Sequence, residues 1–223
     1  MKQPVGLILA GGQGRRMGGV DKAFVRLSGA TLLSHVLDRI DPQVSRLAIS
    51  ANGDPTRFAA FGVPVLGDAD TGAEITGAIS GDTKDTAIRG DRGQGPLAGI
   101  LSGLDWAASQ GADTVVSVAV DTPFIPPDLV PRLLLASDGM RVPLALASGP
   151  VGGEVRIHPA CGLWSVDLRE DLRAALRQGV RRVGAWAEEM GARRAFFADG
   201  EVAFFNVNHP TDLAQAEDIL RAP

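Results

Sequence analysis

The chain of 223 residues has one cysteine, three histidines, no tyrosine and no apolar run long enough to cross a bilayer. A lone Cys161 excludes an intramolecular disulfide, so a reducing cytoplasm is the expected setting. The scattered histidines have no zinc-ligand spacing, which argues against a zinc site. His158 reads as a packing or capping residue beside Pro159, and Cys161 as a small buried hydrophobe. A spanning helix is excluded by length, and no leader sequence is visible before the first strand-like run. Basic residues are also short: 22 Lys and Arg face 26 Asp and Glu, for a net charge of −4. A broad basic face for nucleic acid is therefore not expected, and any anion site has to be local. What is plentiful is apolar sequence, 45% of the chain, enough for the core of one globular domain.

Short apolar runs alternate with helical patterns, which predicts a single Rossmann-like three-layer α/β domain: a mostly parallel central sheet with helices on both faces. Strands are expected near Val5–Leu9, Leu47–Ala51, Val63–Leu66, Thr114–Val120, Leu144–Ser148 and Ala160–Val166. Helices fit Thr31–Ile40, Leu97–Ser109, Pro127–Ala136, Asp167–Gln178, Val183–Met190 and Thr211–Leu220. In open sheets of this kind ligands bind beyond the carboxyl ends of the strands. The polar residues obey that rule, since Asn52, Asp68 and Asp121 each follow an expected strand. Segment 69–93, rich in Gly, Asp and Thr, breaks the alternation and reads as an inserted, flexible, solvated spacer rather than a lid.

The densest chemical signal runs from Leu9 to Lys22 and includes Gly11, Gly12, Gly14, Arg15, Arg16, Gly18 and Gly19. Glycines directly after a strand let backbone N–H groups form a concave nest for phosphate oxygens. Arg15, Arg16 and Lys22 add positive charge beside it. A Walker loop is excluded because Lys22 is followed by Ala23 and not by Ser or Thr. A dinucleotide fingerprint is excluded because its third glycine is displaced and the second strand ends in Ser50-Ala51-Asn52, with no ribose-holding acid. Asp121, delivered by an apolar run and followed by Thr122-Pro123, suits a hard cation that keeps phosphate and water ligands. Equally, its side chain could cap its own turn.

The Leu9–Lys22 pattern resembles the signature of nucleotidyltransferases of the nucleotide-diphospho-sugar-transferase type. Further motifs are Gly95-Pro96-Leu97-Ala98-Gly99, Asp121-Thr122-Pro123, His158-Pro159, Arg181-Arg182-Val183 and Asn206-Val207-Asn208. With these, the whole chain resembles the MobA type, the molybdenum cofactor guanylyltransferases. That resemblance implies a GTP site built by Leu9, Ala10, Gly11, Gly12, Lys22, Ser50, Asn52, Asp68, Gly95, Pro96, Leu97 and Asp121. It implies Lys22, Arg16 and Asp121 as catalytic residues, with Mg²⁺ on Asp121, in a half spanning residues 1–125. The other half, 126–223, would hold the pterin substrate through Arg181, Arg182, Asn206 and Asn208. Ser50 departs from the family, which often has Asn two residues before the position of Asn52.

The expected reaction is Mg²⁺-dependent transfer of GMP from GTP to the terminal phosphate of molybdopterin, with pyrophosphate leaving. A phosphate nucleophile needs no general base at neutral pH, which accounts for the absence of a His or Cys catalytic constellation. Monomeric behaviour and product hand-off to molybdenum-insertion proteins or apo-molybdoenzymes complete the expectation. Alternatives are a CTP-dependent pterin cytidylyltransferase, a sugar-phosphate nucleotidyltransferase, and an idle nucleotide-binding regulator. A dinucleotide oxidoreductase is disfavoured by the missing ribose acid.

Overall fold

Successive residues of the strand-forming runs are buried on opposite sides, so the apolar content separates into two layers. In β1 (Val5–Leu9), Leu7 faces one layer and Ile8 the other; β6 (Thr114–Ala119) divides Val115 from Val116 in the same way. The structure, a computed structural model, describes residues 2–11, 21–69 and 95–221. Gly12, Arg15, Arg16 and residues 70–93 of the expected insertion lie outside the described residues.

Around β1 and β6 the described chain forms β2 (Arg26–Leu27), β3 (Ala30–Thr31), α1 (Leu32–Ile40), β4 (Leu47–Ser50), β5 (Val65–Leu66) and α2 (Pro96–Ser109). After β6 come α3 (Leu129–Ala136), β7 (Leu144–Val151), β8 (Glu154–Ser165), α4 (Arg169–Arg177) and α5 (Val183–Glu189). The chain ends with β9 (Arg193–Phe196), α6 (Gly200–Ala203) and α7 (Pro210–Arg221). Seven strands make one sheet in the order β5-β4-β1-β6-β8-β7-β9, parallel except at β8, whose pairings with β6 and β7 are antiparallel. Helices α1 and α3 cover one face through Leu33, Val36, Ile40, Leu129 and Leu133. Helices α2, α4 and α5 cover the other through Leu97, Ile100, Leu104, Leu172 and Trp186. A smaller cluster of Val25, Leu27, Phe124 and Val207 lies under α7.

The register positions the site. Leu9 pairs with both Ser50 and Ala119, and Ser50 pairs with Leu66. Four parallel strands therefore stop level, and the loops after them leave from one rim between two helical layers. Close approach of α2 to that rim depends on Gly99, where an added Cβ would lie 2.5 Å from Ser50 Oγ and 3.1 Å from Leu9 Cδ2.

Some elements depart from the expected boundaries. The third expected helix was to start at Pro127, yet α3 begins at Leu129. There Gln43 Oε1 accepts the Val130 N–H at 3.0 Å, while Gln43 Nε2 donates to the Pro126 carbonyl at 2.9 Å. Strand β8 begins six residues earlier than expected because it forms a hairpin with β7. Its turn, Gly152-Gly153, has φ of 59° and 84°, the positive values that two-residue hairpins require. Edge strand β9 and the small β2–β3 hairpin carry too little apolar sequence to have been predicted.

Candidate functional site

At the rim, Lys22 and Asp121 are brought together from positions far apart in sequence. The Lys22 ammonium donates to Asp121 Oδ2 at 2.8 Å and to Asn208 Oδ1 at 2.5 Å. Both charged side chains are mostly shielded, 14% exposed for Lys22 and 22% for Asp121. Val120 N–H donates to the Leu9 carbonyl at 3.1 Å, extending the β1–β6 ladder to the residue before Asp121. The chain then turns, with Thr122 N–H on the Ala119 carbonyl at 3.2 Å. A side-chain cap of that turn by Asp121 is not what forms. Among the described residues, the Asp121 carboxylate accepts from Lys22 only.

The C-terminal segment completes this centre. Val207 N–H donates to the Asp121 carbonyl at 2.9 Å, and Thr122 Oγ1 donates to Asn206 Oδ1 at 2.9 Å. Asn208 is held from behind by Asp212, whose Oδ2 accepts the Asn208 and His209 N–H groups, each at 2.8 Å. Burial alone would raise the Asp212 carboxyl, but these two N–H donations outweigh it and hold the group below the usual carboxylate range. Asp212 sits in the first turn of α7 and reaches back, the second half of a capping box. Asn206 and Asn208 thus lie beside Asp121, not in the cleft around the two arginines.

Further along the rim, Asn52 and Asp68 pair reciprocally. Asn52 Nδ2 donates to Asp68 Oδ2 at 3.0 Å, and Asp68 N–H donates to Asn52 Oδ1 at 3.3 Å. The turn before Asp68 is tied to α2 by Ser102 Oγ, which donates to the Gly67 carbonyl at 2.6 Å. Ala10 is anchored by its N–H on the Ser50 carbonyl at 2.8 Å, and Gly11 is exposed. Ser50 is only 3% exposed and lies against the α2 backbone near Gly99. Gly95-Pro96-Leu97 opens α2, with Gly95 at a positive φ of 85°.

Arg181 and Arg182 border an open cleft of about 740 Å³, with Pro159, Ala160, Gly184 and Pro96 among its other walls. Pro96 belongs to the α2 start, so the cleft adjoins the Asn52–Asp68 end of the rim. Arg181 is partly committed to structure: one guanidinium nitrogen donates to the Leu176 and Val180 carbonyls at 2.9 and 2.8 Å, past the end of α4. Arg182 is exposed, and its guanidinium makes no hydrogen bond or ion pair among the described residues. The opposite wall is a bulge in β8, where the β7 register jumps from Gly162 to His158. Ser117 fixes it, donating to the Ala160 carbonyl at 2.8 Å while accepting from the Trp164 indole at 2.8 Å.

Cys161, in the same bulge, is fully buried, and burial pushes its thiol up to about 12, so it is no nucleophile. His158 stacks on Phe204 at 4.3 Å, and burial pushes its imidazole down to about 4. Its Nε2 has no hydrogen-bond partner among the described residues. Both fit the packing roles expected of them.

Sequence reasoning passed over Asp21, Arg57 and Asp212. Asp21 stood as a spacer in the glycine motif, although its Oδ1 accepts the Ala23 N–H at 3.1 Å and caps the tight turn that carries Lys22. Asp54-Pro55, a helix-start pair, was the available signal for the 3₁₀ turn Pro55–Phe61 that presents Arg57.

Comparison with known proteins agrees with this architecture. Residues 6–81 and 83–192 match the profile described as "MobA-like NTP transferase domain". A protein of Cereibacter sphaeroides named molybdenum cofactor guanylyltransferase is 51% identical over 216 residues, covering 97% of this chain and 96% of that protein. In fold, the chain is similar to molybdopterin-guanine dinucleotide biosynthesis protein A of Archaeoglobus fulgidus, with TM-score 0.65 and 21% identity, covering 97% and 98% of the two chains. It is also similar to 2-C-methyl-D-erythritol 4-phosphate cytidylyltransferase of Thermus thermophilus, with TM-score 0.65 and 22% identity over the whole of both chains.

Proposed function

The chain belongs to the MobA-like NTP transferase family, and from that premise we propose that it transfers GMP from GTP to the terminal phosphate of molybdopterin. Pyrophosphate leaves, and molybdopterin guanine dinucleotide forms. The observation that carries this reading is the Lys22–Asp121–Asn208 centre, on the same strand-end rim as a polar Asn52–Asp68 pair, with an arginine-bordered cleft nearby.

The donor set at Asp121 fits Mg²⁺. It offers one hard carboxylate, partly exposed, and no group of three or more His, Cys, Asp or Glu able to cage an ion exists among the described residues. Such a site suits a cation that keeps waters and shares phosphate ligands. Asp121 would hold Mg²⁺, which when bound supplies charge neutralisation at the reacting phosphate. Lys22 meets the negative charge of the triphosphate as a point charge, and Arg16, outside the described residues, is assigned a similar part. Asp68 accepts from the guanine N1–H and N2–H edge, a pattern that cytosine does not present. Leu9, Ala10, Gly11, Gly12, Ser50, Asn52, Gly95, Pro96 and Leu97 shape the surrounding base and ribose site. Arg181 and Arg182 receive the pterin substrate, and Asn206 and Asn208 stand where acceptor and nucleotide meet.

No side chain has to remove a proton from the nucleophile. A phosphate monoester, with a second pKa of about 6, is already largely ionised at neutral pH. The protein's contribution is then alignment and charge stabilisation. A division into a nucleotide half and a pterin half, a monomeric working state, a cytoplasmic setting, and delivery to an insertion protein or apo-molybdoenzyme belong to the same proposal. No helix among the described residues is long and apolar enough to cross a membrane.

Thermal-shift screening with GTP, CTP, ATP, UTP and NADH, with and without Mg²⁺, tests the assignment. Selective stabilisation by GTP with Mg²⁺ is expected. Selective stabilisation by CTP would move the protein to the cytidylyl class, and by NADH would overturn nucleotidyl transfer altogether.

A further inference from the structure

Lys22 and Asn52 serve opposite ends of the proposed nucleotide, and one side chain outside the assigned site joins the segments that carry them. Arg57, on the 3₁₀ turn Pro55–Phe61, places Nη1 3.0 Å from Asp21 Oδ2. Its Nη2 donates to the Asn52 backbone carbonyl at 2.6 Å. The guanidinium also lies over the neighbouring Phe58 ring, 4.8 Å from its centroid. Asp21 directly precedes Lys22 and caps the turn Lys22–Phe24 through its other carboxylate oxygen. Phe24 of that turn stacks on fully buried Phe58 at 5.3 Å, so the Lys22 turn meets the Arg57 segment twice.

We propose that Arg57 is a positioning residue for nucleotidyl transfer, setting the distance between the cation that meets the triphosphate and the Asn52–Asp68 pair. A planar guanidinium holds an ion-pair partner, Asp21, and a hydrogen-bond acceptor, the Asn52 carbonyl, at fixed separation, which an ammonium on a flexible stem does not. The two ends depend on it unequally. Asn52 is independently locked by its reciprocal bonds to Asp68 and by its place two residues after the end of β4. Lys22, in contrast, is held through its head group by Asp121 and Asn208, and those contacts must loosen once phosphates arrive. From then on the base of its turn, through Asp21 and Phe24, fixes where the ammonium sits. Loss of Arg57 therefore weakens phosphate recognition and leaves nucleoside recognition largely intact.

This inference rests on the GTP reading, and the test separates the two. Calorimetric titration of the full chain with guanosine and with GTP–Mg²⁺ gives the affinity that the triphosphate adds. Arg57→Ala should reduce that added affinity on the order of tenfold, the scale of a small misplacement, with guanosine binding nearly unchanged. Asp21→Asn should behave alike, because an amide oxygen still caps Ala23 while the ion pair is lost. The double variant should be no worse than either single one. Arg57→Lys should recover part of the loss. Equal weakening of guanosine and GTP in Asp21→Asn, or an unchanged ratio between them, would overturn the positioning role, even where Arg57→Ala proves too unstable to assay. Failure of the unaltered protein to bind GTP would instead overturn the function on which the inference stands.

Discussion

Asp121 and Lys22 neutralise each other at 2.8 Å in a shielded setting, so removing either leaves its partner uncompensated as well as the reaction unassisted. Asp121→Asn keeps the shape and one acceptor oxygen but removes the charge. Its turnover is expected to fall on the order of 100-fold or more, as when one preorganised electrostatic group is lost. Steady-state rates at saturating GTP and Mg²⁺ check this, and near-normal turnover would remove Asp121 from the chemistry. His158 allows a separate prediction. Its folded pKa of about 4 lies below the ordinary 6.5, so the unfolded chain binds more protons between those values. Stability contributed by neutral His158 is then present above pH 6.5 and is lost as pH falls toward 4. His158→Phe, which keeps the ring stack on Phe204, should flatten that part of a melting-temperature profile. An equally steep acid decline in the variant would assign the effect to another group.

At the scale of elements, the start of α7 and the approach of α2 do the positioning. Asp212→Ala removes acceptors from two N–H groups and should cost about 1 kcal/mol of stability, as expected for a lost cap. It should also lower turnover beyond that of a surface control, because Asn208 loses its anchor; denaturant unfolding and rates on the same variant decide. Gly99→Ala should destabilise by about 1–3 kcal/mol through overpacking. Ser50→Ala in the same chain should recover part of this by removing the hydroxyl oxygen that lies 2.5 Å from the new methyl group. No recovery would mean that the helix, not the serine, is what yields. These same elements show how far the sequence could be read. Strands β1, β4 and β6 were legible because buried parallel strands are continuous apolar runs, and the residues following them were legible as rim groups. Strand β9 was not, since an edge strand reading Arg193-Arg194-Ala195-Phe196 buries only Ala195. The Asn208 contact with Lys22 was hidden as well. It spans 186 residues and is created by the path of the chain into α7, which no local pattern records.

For the molecule as a whole, four level strand ends gather the loops of the first half, and the segment leading into α7 returns to the same rim through Asn206 and Asn208. Ligand binding at such a junction should stabilise the entire sheet. GTP–Mg²⁺ at about 100 times its dissociation constant should add about 2.7 kcal/mol to unfolding. The most direct test follows the transferred phosphorus. GTP labelled at the α-phosphate is incubated with Mg²⁺ and molybdopterin, and products are separated by chromatography. Label in molybdopterin guanine dinucleotide, equimolar with released pyrophosphate and not formed from CTP, is the predicted result. Label left in GTP, or equal transfer from CTP, would contradict guanylyl transfer at the Lys22–Asp121 centre.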